Sequence, residues 1–164
     1  MSAERRELAG LARPVVSVAQ AAAVADRHWG LRGRLVELGS QQDRNFLVDG
    51  SGRFVLKFAN PAAGEAELAA QNLALRELAA AEVTVPLPVP SLAGADIEPV
   101  TVGGTTLLCR VLSYVDGTPL VDRDDSDAEV LGDTAGRIVA ALAGFAHPGT
   151  DRRTQWDLRV AGDV

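Results

Sequence analysis

The sequence is short of the residues from which most redox, metal and charged-surface functions are built. Cys109 is the only cysteine in 164 residues, which excludes an intramolecular disulfide and points to a reducing compartment. The two histidines, His28 and His147, lie far apart; with one cysteine they do not make up a usual zinc site, and no metal ligands are expected. Lysine occurs once, as Lys57, and no arginine run is longer than a pair. At a net charge of −6 neither a nucleic-acid surface nor an anionic-membrane surface is supported. No apolar run is long enough to span a bilayer, and the N-terminus carries Glu4, Arg5, Arg6 and Glu7 where a signal segment would be apolar. The cytoplasm is the expected compartment.

What is present is globular: 47% hydrophobic and 23% charged residues, enough for one domain or one and a fraction. The most informative stretch is Glu37 to Asn60, where Lys57 interrupts an apolar strand. Arg34 to Leu38 alternates, Asn45 to Val48 is a short apolar run, Asp49-Gly50-Ser51-Gly52 has turn chemistry, and Arg53 to Phe58 alternates again, predicting three antiparallel strands. Phe54, Leu56 and Phe58 fall on one face of the third strand, and Arg53, Val55 and Lys57 on the other. The ammonium then lies under the Gly39 to Asp43 connection if that loop folds over the sheet. A cation beneath a loop of amides suits a polyphosphate. On this strand alone the commoner reading is a solvated or edge lysine, and the glycines match neither phosphate-loop fingerprint.

Around this stretch, Ser17-Val18-Ala19-Gln20 is a capping box that starts a helix stopped by Gly30, with His28 and Trp29 read as packing residues. Met1 to Pro14 reads as a loosely held helix or a tail. Ala62 to Glu82 has helical spacing and predicts one long helix, broken by Val85-Pro86-Leu87-Pro88-Val89-Pro90, which runs extended. Glu98 to Val102 and Thr105 to Tyr114 predict two more strands joined through Gly103-Gly104, with Cys109 as a small buried hydrophobe. Asp122, Asp124, Asp125 and Asp127 lack the glycine and glutamate of a calcium loop. They fit instead the start of a helix that Ser126-Asp127-Ala128-Glu129 caps and that runs to about Ala146, before His147-Pro148-Gly149. Leu131, Ile138, Leu142 and Phe145 form an apolar stripe on it, so the chain is expected to self-associate through this helix, to leave it frayed, or to fold it back onto the preceding elements.

The order of these elements resembles the small lobe of a protein-kinase-like fold. It is similar, more narrowly, to the aminoglycoside phosphotransferase and choline kinase family, nearest to its hydroxylysine kinase-like modules. The resemblance spans about 35–159 and is carried by Gln42-Asp43-Arg44-Asn45-Phe46, Phe54-Val55-Leu56-Lys57-Phe58, Gln71-Asn72, Leu107 to Leu120, Gly132 to Leu142, His147-Pro148 and Trp156-Asp157-Leu158. It implies an α+β fold: a five-stranded antiparallel sheet with one long helix, plus the first helix of a large lobe. The divisions are 1–30 for a tail and helix, 31–117 for a nucleotide-binding small lobe, and 118–164 for a connector and the first helical part of a truncated large lobe.

The resemblance further implies ATP as cofactor and phosphoryl transfer to a hydroxyl of an amino-alcohol or amino-acid-like small molecule. Lys57 would contact the α- and β-phosphates, and Gly39, Ser40 and Gln41 would form the loop above them. The Ser113 carbonyl and the Val115 amide would meet the adenine edge, while Arg110 is read as structural. Two departures stand out. The helix position that pairs with the strand lysine in the family is Ala69 here, leaving Glu65 and Glu67 as available partners. The family's His-Gly-Asp catalytic loop does not occur, so no catalytic residue is assigned in this chain, and Mg2+ is expected only with that missing half. The rival reading is a non-catalytic binding or regulatory module, or the N-terminal piece of a fusion with a class III aminotransferase.

Overall fold

The computed structural model describes residues 12–117 and 125–151. The segment at 1–11, the connector at 118–124 and Trp156-Asp157-Leu158 lie outside the described residues.

Helix α1 (Val18–Trp29) starts at the expected capping box: Gln20 N–H donates to Ser17 Oγ and Ser17 N–H to Gln20 Oε1, and Gly30 closes the other end. Three strands follow, β1 (Gly33–Leu38), β2 (Arg44–Gly50) and β3 (Arg53–Phe58), each antiparallel to the next. After helix α2 (Glu65–Ala80) come β4 (Pro88–Val89), β5 (Glu98–Val102) and β6 (Thr105–Ser113). The sheet order is β1-β2-β3-β6-β4, and β5 also pairs with β6. Gly103 and Gly104 take φ of +58° and +82°, the doubly left-handed geometry of a tight hairpin that side chains resist.

All five expected strands are present. The sixth, β4, comes from the proline-rich stretch that the sequence showed only as extended. Proline is tolerated on a sheet edge because it has no N–H to leave unpaired, and Pro88 and Val89 pair with Leu112 and Val111. Beside them Ser113 N–H donates to the Leu87 carbonyl and Leu87 N–H to Ser113 Oγ.

Strand alternation gives the sheet two unlike faces. Phe46, Val48, Leu56, Phe58, Cys109 and Val111 are all but fully buried on one of them, against Ala21, Val24, Ala25 and Trp29 of α1. Trp29 Nε1 donates to the Val89 carbonyl at 3.0 Å, so the tryptophan is a packing residue with its one polar atom satisfied. The opposite face carries Lys57 and Arg110 and is covered by α2.

Helix α3 (Asp125–Leu142) begins one residue before the expected cap, Ser126, and ends short of Ala146. Its end is unwound by turns spaced three residues apart, Ala143 N–H to Ala140 O and Phe145 N–H to Leu142 O. Of the anticipated stripe, Leu131 is exposed, whereas Ile138, Leu142 and Phe145 are half-buried. A single 3₁₀ turn, Pro148–Thr150, then packs on the first turn of α2.

Candidate nucleotide site

Pairing register puts three polar side chains side by side on the α2 face. Lys57 of β3 stands opposite Asn45 of β2 and opposite Arg110 of β6, and residues opposite one another in a ladder share a face. Lys57 Nζ donates to Asn45 Oδ1 at 3.2 Å and pairs with Asp43 Oδ2 at 3.5 Å. Its side chain is 20% exposed, so the ammonium is neither a solvated surface charge nor sealed in the core. Burial lowers its pKa, the Asp43 carboxylate opposes that, and the Arg110 charge adds to the lowering.

Arg110 is buried at 5% exposure. Its guanidinium donates to Asn72 Oδ1 at 2.6 Å, to the Leu68 carbonyl at 3.4 Å and to Gln71 Oε1. All three acceptors belong to α2, so this one arginine ties the long helix to the central strand. Burial lowers its pKa, with Asp43 and then Glu67 acting against burial. Two cations in direct register, one buried and one half-buried, repel; a carboxylate that acts on both is what makes the arrangement tolerable.

That carboxylate comes from the β1–β2 loop. Asp43 N–H donates to Ser40 Oγ, and Asp43 Oδ1 accepts from the Asn60 amide just past β3. Asn60 Nδ2 in turn donates to the Gln42 and Ala12 carbonyls, and Arg13 donates to the Ser40 carbonyl. The loop is therefore held at several points, with its end drawn to the lysine. A pocket of about 270 Å³ opens between this loop and α2, lined by Ser40, Gln41, Asp43, Asn60, Glu67 and Gln71 among others. A Cβ built on Gly39 meets nothing within 4 Å, so space over the loop is open to an approaching group.

Toward the other end of the same face the side chains turn apolar. Val36, Leu47, Val55 and Leu112 occupy successive cross-strand positions two residues on from Leu38, Asn45, Lys57 and Arg110. This platform lies one strand period, roughly 6.8 Å, from the lysine, and it leads to Ser113 at the end of β6. Beyond it Tyr114 N–H donates to the Arg53 carbonyl, the Arg53 guanidinium lies 3.9 Å from the Tyr114 ring centre, and Arg53 also pairs with Asp116. Val115, 39% exposed, is thus held between two residues that β3 clamps.

Of the residues singled out in the sequence, Ser40 and Gln41 line the pocket, Lys57 adjoins it through Asp43, and Ser113 and Val115 lie at and just past the end of β6, where Ser113 is paired with Phe54 of the opposite face. Glu65 is exposed on the first turn of α2; Glu67 lines the pocket and accepts from Gln71 Nε2 at 3.5 Å. Asp43 and Asn45 had been noted only as part of a pattern, and the register that makes them neighbours of Lys57 is a tertiary fact. Cys109 is fully buried and its thiol is pushed up by burial, which makes it inert. No group of three or more metal-ligating side chains occurs among the described residues, and no helix there is long and apolar enough to cross a membrane.

Comparison with known proteins places this geometry in context. The family model described as "Phosphotransferase enzyme family" matches residues 33–164. No curated protein sequence matches significantly. Among solved structures, a microcompartment-associated aminopropanol kinase superposes with a TM-score of 0.66 at 23% identity, over 90% of this chain and 47% of its own. Amicoumacin kinase hAmiN, solved with AMP-PNP, Ca2+ and Ami, superposes with a TM-score of 0.68 at 16% identity, over 87% of this chain and 46% of its own. The chain therefore spans about half the length of either, and the likeness is one of fold.

Proposed function

The chain belongs to the phosphotransferase enzyme family, and from that premise we propose that it is the ATP-binding N-terminal lobe of a small-molecule kinase. In this reading the phosphates lie against Lys57 under the Gly39, Ser40 and Gln41 loop. The purine rests on the Val36, Leu47 and Val55 platform, with its edge toward the Ser113 carbonyl and the Val115 amide. The transferred phosphoryl group goes to a hydroxyl of an amino-alcohol or amino-acid-like molecule. The observation that carries the reading is the half-buried ammonium of Lys57, in register with a second buried cation and one strand period from an apolar platform that ends at a clamped strand exit. That order of cation, flat apolar surface and strand exit matches the order of phosphate, ribose-linked base and base edge in a nucleotide.

The residues present fit the phosphate end of a nucleotide, because Lys57 offers a charged donor whose partner Asp43 lines an open pocket. Bound Mg2+ would neutralise phosphate charge and orient the transferred group; its ligands and the catalytic base are assigned to a large lobe, since His-Gly-Asp is absent from these residues. This chain's own part is to bind, orient and neutralise.

The test is a titration of the chain with AMP-PNP, followed by backbone amide NMR. Shifts are expected around Gly39 to Gln41, Lys57 and Ser113 to Val115. Lys57→Ala should weaken binding, and by a larger factor at low salt than at high. Shifts confined to residues far from all three segments would overturn the assignment.

A further inference from the structure

We propose that Asp43 is a positioning residue of the phosphate site: from the β1–β2 loop it sets the place of the Lys57 ammonium and supplies its countercharge. The proposal rests on the nucleotide reading for its purpose, but its geometry stands independently.

The carboxylate is fixed before it meets the lysine. Its Oδ1 accepts from the Asn60 amide at 3.1 Å, while its Oδ2 faces Lys57 Nζ at 3.5 Å. Asn60 is itself buried and bonded to the Gln42 and Ala12 carbonyls, so the backbone just past β3 holds the carboxylate that steers a side chain of β3. A second acceptor, Asn45 Oδ1, fixes the ammonium from the side. One ammonium has three donors, and with two directed to Asn45 and Asp43 the third is left for a further acceptor such as a phosphate. The charged groups that face Lys57 are Asp43 from the loop, Arg110 from β6 and, bearing on Arg110 from α2, Glu67. Asp43 acts on both cations, so without its charge the in-register pair would be driven toward deprotonating Lys57, because the arginine stays charged. A neutral lysine donates no charge to a phosphate. The loop that covers the nucleotide in this reading is therefore also the loop that keeps the lysine ready for it.

The composition supplies the probe. Because Lys57 is the only lysine, protein grown with 13C,15N-lysine gives one lysine side-chain signal, whose midpoint can be followed with pH in the intact chain. Asp43→Asn should move that midpoint down by about one pH unit or more. Asp43→Glu should restore most of the shift, and Asp49→Asn, at the exposed end of β2, should leave it in place. In the same variant, AMP-PNP affinity should fall more steeply with rising alkaline pH than in the wild type, which a purely structural role would not produce. If Asp43→Asn does not fold, the wild type still decides, since NOEs between the Lys57 ε-protons and the Asp43 β-protons are expected from the 3.5 Å ion pair. A midpoint unmoved or raised by Asp43→Asn, or a wild-type lysine without those NOEs to Asp43, would overturn the proposal. Should the lysine titrate as expected but ignore AMP-PNP, the nucleotide reading fails and the role of Asp43 in holding Lys57 survives.

Discussion

Arg110 shows how one residue can serve both packing and electrostatics. Its three acceptors on α2 make it the fastener between helix and sheet, while its charge presses on Lys57 from the neighbouring strand. Removing it should separate the two effects. Arg110→Met keeps most of the buried stem but leaves Asn72 Oδ1 and the Leu68 carbonyl without their donor, a loss of about 2 to 3 kcal/mol that urea unfolding would measure. At the same time the lysine midpoint should rise, because a like charge that disfavoured the ammonium has gone. The opposite signs for Arg110→Met and Asp43→Asn on one NMR signal test the electrostatics of the site apart from its stability. The linkage follows the same logic. Lys57 has a folded-state pKa below its ordinary value, so the unfolded chain binds more protons between the two. Stability attributable to this residue is therefore lowest below the folded pKa and recovers as pH rises through that window.

At the scale of elements, α2 is the part most constrained from outside. Arg110 grips it from the sheet, and the 3₁₀ turn after α3 lies directly on its first turn. A Cβ added at Gly149 would come within 1.9 Å of the Ala66 carbonyl oxygen, too close for any side chain without moving backbone. Gly149→Ala is expected to cost about 1 to 3 kcal/mol and to speed amide exchange at Glu65 to Leu68, whereas Gly117→Ala, with open space around it, should do neither. Nothing local signals this contact, since a glycine after His147-Pro148 reads equally well as a simple helix stop. The strands were legible for the opposite reason: alternation is a local pattern, and Arg53 to Phe58 declares both of its faces without help from any partner. Which residues meet Lys57 depends instead on register between β2, β3 and β6, and register is a property of pairs of strands. Asp43 and Asn45 thus stayed hidden although the lysine was plain. Likewise β4 was invisible, being two residues of a proline-rich stretch whose strand character exists only because Leu112 and Val111 lie beside it.

For the whole molecule, the two faces of one sheet divide the labour. The α1 face holds the apolar core that stabilises the lobe. The α2 face carries cations, amides and an apolar platform, and it is dry enough to strengthen charge interactions yet open enough to admit a ligand. Helix α3 packs against α2 rather than on the sheet, Arg137 donating to the Glu82 carbonyl, and leaves Val130, Leu131 and Val139 exposed. The chain spans about half the length of the two solved kinases it resembles, and the proposed division of roles gives it the nucleotide while another lobe supplies the base. On that account nucleotide binding by this chain is a matter of Lys57 and its surroundings. The measurement that reaches it most directly is the single lysine side-chain signal recorded during addition of AMP-PNP. The expected result is a saturable shift of that signal, with the same dissociation constant as the backbone amides of Gly39 to Gln41 and Ser113 to Val115. A lysine signal that stays still while nucleotide binds elsewhere, or while none binds at all, would contradict it.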